Sequence, residues 1–195
     1  MIRMFSKTLQ TKRLRLRPPR VGDAKAIFDR YAQDADVTRF LQWASHGSVA
    51  ETECFLEESE KFWREGTRFP WAIIDKANRS VIGMIELRLD NSPDSEDSNG
   101  EGSSAEGRRA EVGYVLARDV WGQGYMTEVL RAVIEMALSD GKLTHIRATC
   151  DAANLASLRV LEKSDMSVED QYRRHSVHPN MGSGPRDCLT YAIGH

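Results

Sequence analysis

Nowhere does this chain hold an apolar run approaching the ~20 residues that a membrane-spanning helix needs. Its first residues, Met1-Ile2-Arg3-Met4-Phe5-Ser6-Lys7, also lack the apolar core and cleavage pattern of a secretion signal. Cysteine is scarce: Cys54, Cys150 and Cys188 form an odd, widely spaced set. No two of them have the spacing of a metal site or a disulfide framework. Reduced thiols in a cytoplasmic protein are the plainer reading. Excess charge is missing too, and a net charge of -2 gives no general attraction to nucleic acid. No Gly-x-x-x-x-Gly-Lys run occurs, which excludes a Walker loop. Internal repeats are absent.

What is present suits a globular fold. With 195 residues, 41% of them hydrophobic, residues 1–195 read as one domain with a full core. Lys12 to Arg17 alternates basic and apolar residues, a strand with Leu14 and Leu16 inward. Asp23 is placed to cap a helix whose Ala24, Ile27, Phe28 and Tyr31 share a face. A short segment follows from Asp36 to Trp43. Ser48-x-x-Glu51 forms a capping-box pattern, opening a helix to about Trp63 that Gly66 stops. Phe69 to Asp75 and Val81 to Leu89 read as a hairpin across Lys76-Ala-Asn-Arg79.

Residues 91–108 hold five Ser, three Gly and five acidic residues and almost nothing apolar, so the sequence predicts a flexible loop there. After it come a strand from Ala110 to Ala117, a helix from Tyr125 to Ser139, and a strand from His145 to Cys150. Asn154 caps a helix to Lys163, and two strands, Met166 to Tyr172 and Cys188 to Ile193, complete the chain. The loop before the last strand holds His175 and His178, too few ligands to argue a metal. Mixed strands and helices with an early hairpin imply an α/β fold of the mixed α+β kind, not a doubly wound parallel sheet.

One stretch organises the rest: Trp121-Gly122-Gln123-Gly124-Tyr125-Met126-Thr127-Glu128, between a strand and a helix. Two glycines leave the backbone bare in a tight turn. The first turn of the following helix has N–H groups without intrahelical partners and a positive dipole end. Such a turn suits a phosphate. The dinucleotide fingerprint would need a third glycine, which is missing.

The strand Ala110-Glu-Val-Gly-Tyr114, this turn, and Asn154-Leu-Ala-Ser-Leu-Arg-Val-Leu-Glu-Lys163 together resemble the GNAT acetyltransferases. Within them the chain most resembles the ribosomal-protein alanine N-acetyltransferase branch, from about Leu9 to Ala192. The resemblance implies a mostly antiparallel mixed sheet of about seven strands flanked by about four helices. It implies that the strands at Ala110 and His145 splay to hold the pantetheine arm of acetyl-CoA. It also implies cofactor contacts from Val115, from Trp121, Gly122, Gln123, Gly124, Tyr125, Met126 and Thr127, and from Asn154, with no metal. The side chains of Tyr125, Thr127 and Glu128 read as structural. Trp121 and Met126 depart from the family's usual Gln/Arg and Gly/Ala, and Asp165-Met166 from its Gly-Phe. Met126 is bulky enough to narrow the turn, and a lost glycine at Asp165 would alter the turn there.

Acyl transfer to an amine needs a neutral amine, a polarised carbonyl and a proton for the departing thiolate. Glu111 is the base candidate by resemblance to the strand that carries the base in histone-acetylating members. A strand glutamate that faces solvent, or one salt-bridged to Arg109, is the other reading. Many members place a Tyr on the last helix to protonate the thiolate, but that place is Leu161 here. Ser157 matches the serine that the ribosomal branch uses instead; its plainer role is bonding back to the cap Asn154. Arg39 and Trp43 are the acceptor-side candidates, with core packing equally open for Trp43. The expected activity is acetyl transfer from acetyl-CoA to a protein N-terminus or small amine by a cytoplasmic monomer or homodimer. Nucleic acid and membrane are not expected as partners. A non-catalytic acyl-CoA sensor is the alternative, and a nucleotide-binding domain a third reading.

Overall fold

Leu14 and Leu16 are fully buried while Arg15 between them is exposed, so the alternation read from the sequence forms a strand. The computed structural model describes residues 5–90, 108–139, 141, 143–182 and 184–194. The loop expected at 91–108 lies outside the described residues except for its last residue, which begins a strand.

The chain opens with β1 (Leu9–Gln10) and β2 (Leu14–Arg17), then α1 (Ala24–Ile27), which runs into a π-turn at Phe28–Ala32. Asp23 does not cap α1. Its carboxylate takes both arms of the Arg17 guanidinium at 2.7 Å and the Arg20 N–H at 2.9 Å. That bidentate ion pair outcompetes a cap. The segment expected from Asp36 to Trp43 is helical only in α2 (Ala35–Thr38), and its cap is Asp34.

Helix α3 (Val49–Glu65) starts where Ser48 accepts from the Glu51 N–H and ends at left-handed Gly66. The Glu51 side chain reaches the Gly47 N–H rather than that of Ser48, so only half of the capping box forms. The hairpin of β3 (Arg68–Asp75) and β4 (Val81–Leu89) lies as the sequence predicts. Then come β5 (Arg108–Leu116), α4 (Tyr125–Leu138), β6 (Leu143–Asp151), α5 (Leu155–Lys163), β7 (Ser167–Ser176) and β8 (Arg186–Gly194). β7 starts one residue after the expected Met166 and runs past Tyr172 to Ser176, and β8 extends beyond both expected limits.

Among the described residues the sheet has eight strands, ordered β1-β2-β3-β4-β5-β6-β8-β7. The strand beyond the expected count is the two-residue β1, too short to leave a pattern. Five α-helices flank the sheet, of which α1 and α2 are a single turn each. Every neighbouring pair is antiparallel except β5 and β6. Those two pair only from Arg108↔Leu143 to Glu111↔Arg147, yet run on to Leu116 and Asp151. Beyond Glu111 they splay. β4 compensates by staying on β5 as far as Gly83↔Leu116. A Cβ on Gly83 would sit 2.3 Å from the Val115 carbonyl, so glycine permits that close approach.

Cross-strand partners share a face. Ala110, Val112 and Tyr114, with Ile146, Ala148 and Cys150, turn toward α5, which Tyr114 reaches by a hydrogen bond. Glu111, Gly113 and Val115, with Arg147, Thr149 and Asp151, turn to the other face. α4 buries Met126, Val129, Leu130, Val133, Ile134 and Ala137, the apolar stripe visible in the sequence plus Ile134.

Candidate active site

The bare turn follows β5. Gly122 has φ 75° and Gly124 φ 74°, a region that L side chains rarely adopt. Gly124 precedes α4, and no side chain caps the helix. Its first-turn N–H groups are left open to a ligand. A Cβ built on Gly122 would meet nothing within 4 Å, so the space above the turn is clear.

Other side chains brace that turn. The Trp121 indole donates to the Leu116 carbonyl at 2.7 Å while its ring stays exposed. Arg13 reaches across from the β1–β2 connection, donating to the Gln123 carbonyl at 2.9 Å and lying over the Tyr125 ring. Glu128 holds Arg13 in place, accepting from its backbone N–H at 2.8 Å and its Nε at 2.6 Å, and from Thr11 Oγ1 at 2.5 Å. Burial raises the Glu128 carboxyl, but the Thr11 and Arg13 hydrogen bonds outweigh it and hold the group below the usual range. Met126 is 4% exposed, so its bulk fills the core and does not narrow the turn. The side chains of Tyr125 and Glu128 serve the structural ends read from the sequence.

Where β5 and β6 splay, a cavity of about 390 Å³ opens. Glu111, Val115, Asn154, Ser157 and Trp43 line it. The residues of the glycine turn and Arg39 do not. Arg39 is exposed and lies against the Phe40 ring. Trp43 packs its ring 5.1 Å from that of His46.

On the α5 side of the opening, Asn154 caps the helix by accepting from the Ser157 N–H at 3.2 Å. The Ser157 hydroxyl is left to point elsewhere, and it lies 2.7 Å from Tyr114 Oη. Burial holds the Tyr114 phenol far above its ordinary value, with the Ser157 bond working against it. Cys150 contacts the same hydroxyl, and burial pushes its thiol up to about 11. So both acidic hydrogens beside Ser157 stay in place at neutral pH. Tyr114 was not singled out by the sequence. It brings a phenol from β5 to the helix whose own expected phenol position is Leu161, 1% exposed in the core.

On the opposite face, Glu111 is half-buried. Its carboxylate makes no hydrogen bond or ion pair with a described residue, Arg109 included. It also lines a smaller polar cavity of about 270 Å³ with Arg147, Thr149 and Glu169. Beside it Arg68 and Arg88 both pair with Glu86, at 2.8 and 3.0 Å. Asp165 has φ 63°, a left-handed conformation that glycine takes without strain.

Four buried side-chain atoms lack a hydrogen-bond partner among the described residues: Tyr31 Oη, Arg88 Nε and both ring nitrogens of His178. All three residues line the larger cavity. Arg88 Nε and His178 Nε2 still face the carboxylates of Glu86 and Asp151, at 3.0 and 3.3 Å, so Tyr31 Oη and His178 Nδ1 are the two that have neither a hydrogen bond nor an ion pair among the described residues. The two histidines of the β7–β8 region part company. His175 stacks on Tyr172 with ring centroids 4.8 Å apart, and His178 is buried at the cavity wall. Among the described residues no three His, Cys, Asp or Glu side chains converge as metal ligands.

A model of the acetyltransferase (GNAT) domain matches residues 13–167. The chain belongs to the GNAT acetyltransferases. This GNAT chain is 28% identical over 166 residues to the uncharacterized N-acetyltransferase p20 of Bacillus licheniformis, covering 85% of each. Its fold matches the microcin C7 self-immunity acetyltransferase MccE, solved with acetyl-CoA and AMP, with a TM-score of 0.79, 14% identity and coverage of 94% and 93%. It also matches RimL, the ribosomal L7/L12 alpha-N-protein acetyltransferase solved with coenzyme A, with a TM-score of 0.78, 17% identity and coverage of 96% and 97%. The GNAT chain is thus an N-acetyltransferase with the family's mixed, mostly antiparallel sheet. No described helix is long and apolar enough to cross a membrane.

Proposed function

We propose that this chain moves an acetyl group from acetyl-CoA to a primary amine by direct attack on the thioester. The observation that carries the reading is the opening between β5 and β6, with a cavity on one side and a Tyr114–Ser157 hydroxyl pair on its wall. The CoA and acetyl-CoA held by RimL and MccE support the choice of cosubstrate. The amine is a protein N-terminus or a small amine, and RimL's own name favours the former.

The backbone N–H groups from Gly122 to Thr127 take the pyrophosphate, and Val115 and Asn154 line the path of the pantetheine arm. Bound there, acetyl-CoA supplies an activated carbonyl. Glu111, on the acceptor's face, draws in the ammonium and takes its first proton; free amines titrate near ~8 at an N-terminus and ~10.4 on lysine. Tyr114 and Ser157 hydrogen-bond the sulfur as charge develops on it, acting as a relay rather than as strong acids. Trp43 shapes the acceptor pocket. Arg39, outside the cavity lining, has no part in this proposal.

The test joins binding to turnover. CoA is expected to raise the melting temperature with its concentration, the folded state gaining about 2.7 kcal/mol at a hundredfold excess over Kd. Pantetheine fragments should do less. Peptides with free N-termini should be recovered acetylated. No melting shift at millimolar CoA overturns the site. Binding without acetylation of any amine would leave a sensor instead.

A further inference from the structure

An ammonium that becomes an amide loses two protons, one before its nitrogen attacks and one after. One ends on the departing sulfur and the other in solvent. The reading above gives the first to Glu111 and places Tyr114 and Ser157 at the sulfur. The second proton still needs a carrier.

His178 is 4% exposed and lines the cavity. Its Nε2 stands 3.3 Å from Asp151 Oδ2, off the angle of a hydrogen bond, and Nδ1 has no partner among the described residues. Asp151, 3% exposed, is held in its turn by the Arg186 guanidinium and by the Ala153 N–H at 2.8 Å. Burial raises the Asp151 carboxyl, but the Arg186 and Ala153 bonds and the Arg186 charge bring it below its ordinary value. An ionised carboxylate therefore faces the imidazole. The other groups around them are the Phe40 ring, edge-on at 6.4 Å to His178, and the Cys188 thiol paired across from Asp151, which burial keeps protonated. Imidazole accepts and releases protons at neutral pH.

The placement suits the task. Successive side chains on a strand face opposite ways, so Asp151 points away from the face on which its neighbour Cys150 meets Ser157. His178 thus approaches the opening from the acceptor's face, level with the Tyr114–Ser157 pair. Asn180, two residues on, donates to the Thr38 and Trp43 carbonyls at 2.8 Å each, tying this loop to the acceptor-side segment. Glu111 lies level with Arg147, four residues back along β6 from Asp151, roughly 13 Å of strand.

We propose that His178, oriented by Asp151, is a second base that takes the remaining proton from the nitrogen once it has bonded to the thioester carbonyl carbon. The inference rests on the acetyl-transfer reading. The carbon–nitrogen bond forms and the carbon–sulfur bond breaks. The Ser157–Tyr114 pair gives the thiolate a proton and is refilled from solvent, while Glu111 and His178 release theirs to solvent, so one proton is released net per turnover. Nothing is oxidised or reduced. Asp151 acts through His178 and is a positioning residue.

The experiment measures kcat for a peptide with an N-terminal alanine and for a small alkylamine, across about pH 5 to 8 where imidazole titrates. His178→Ala is expected to lower kcat on the order of a hundredfold and to lose the acid limb of the profile. Its affinity for CoA should stay within twofold, and added imidazole should restore part of the rate. Asp151→Asn should lower kcat and shift the same limb without rescue by imidazole; if it does not fold, His178→Ala decides alone. A His178→Ala kcat within twofold of wild type overturns the proposal, as does a loss that imidazole leaves untouched. Acetyl-CoA hydrolysis without amine gives the same readout, since the base serves an attacking water equally. A wild-type chain that releases no thiol with either amine or with water fails earlier: it overturns the acetyl-transfer reading itself.

Discussion

Tyr114 Oη lies 2.7 Å from Ser157 Oγ, joining the strand that leads to the glycine turn with the first turn of α5. The pair forms part of the wall of the cavity where β5 and β6 part. In the proposed reaction it takes the place of the tyrosine that is absent at Leu161.

If the two hydroxyls act as a unit, their losses will not add. Ser157→Ala and Tyr114→Phe should each lower kcat by about 2–4 kcal/mol in the barrier, the scale of one lost catalytic hydrogen bond. The double variant should fall little further than either single one. CoA affinity should barely change, because these bonds strengthen only as the thiolate forms. A double-mutant cycle of kcat with additive losses would separate the two residues.

Glu111→Gln removes the carboxylate proposed to meet the acceptor. Its kcat should fall near neutral pH and recover as pH rises through the amine's own titration, near ~8 for an N-terminus. A pH series with saturating acetyl-CoA measures this. A deficit that is constant with pH would give Glu111 a structural role.

Gly124→Val acts on binding. The φ of 74° strains a β-branched residue, and the new methyl groups obstruct the backbone proposed to take the pyrophosphate. KM for acetyl-CoA should rise at least tenfold while kcat at saturation changes less. Initial rates against acetyl-CoA concentration decide it.

Acid should loosen the brace behind the turn. Glu128 is held below its ordinary range in the folded chain, so its contribution is complete above the unfolded value, near ~4.3. That contribution is lost as pH falls through the lower, folded value. Glu128→Gln removes the charge at every pH. It should destabilise the chain by about 1.5–3 kcal/mol near neutrality, the range for charge-assisted hydrogen bonds. Below pH ~4 the variant and wild type should converge in urea melts.

Local patterns were the legible ones. The stripe of Met126, Val129, Leu130, Val133 and Ala137 gave α4, Ser48 and Gly66 bounded α3, and Asn154 capped α5, because each signal needs only neighbours within a turn or two. Asp23 misled for the same reason. A local cap was read, but Arg17, on the preceding strand, offered a stronger bidentate partner. The Tyr114–Ser157 contact joins residues 43 apart in sequence, and His178 meets Asp151 across an intervening helix and strand. Periodicity carries no trace of such meetings. One faint signal for His178 existed in the His-x-x-His spacing, which invited a metal and concealed a carboxylate partner. The splay of β5 and β6 came from resemblance alone, because hydrophobic alternation is the same whether two strands pair or part.

The most direct measurement of the central claim is thiol release from acetyl-CoA, read with and without a broad set of amines, with the acetylated product identified by mass. We expect release to accelerate with at least one class of primary amine, one acetylated amine to form per thiol, and the chain itself to stay unacetylated. Tyr114→Phe and Ser157→Ala should slow release at unchanged CoA binding. Release no faster than without the chain, across N-terminal peptides and small amines alike, would contradict the account and leave only a CoA-binding fold.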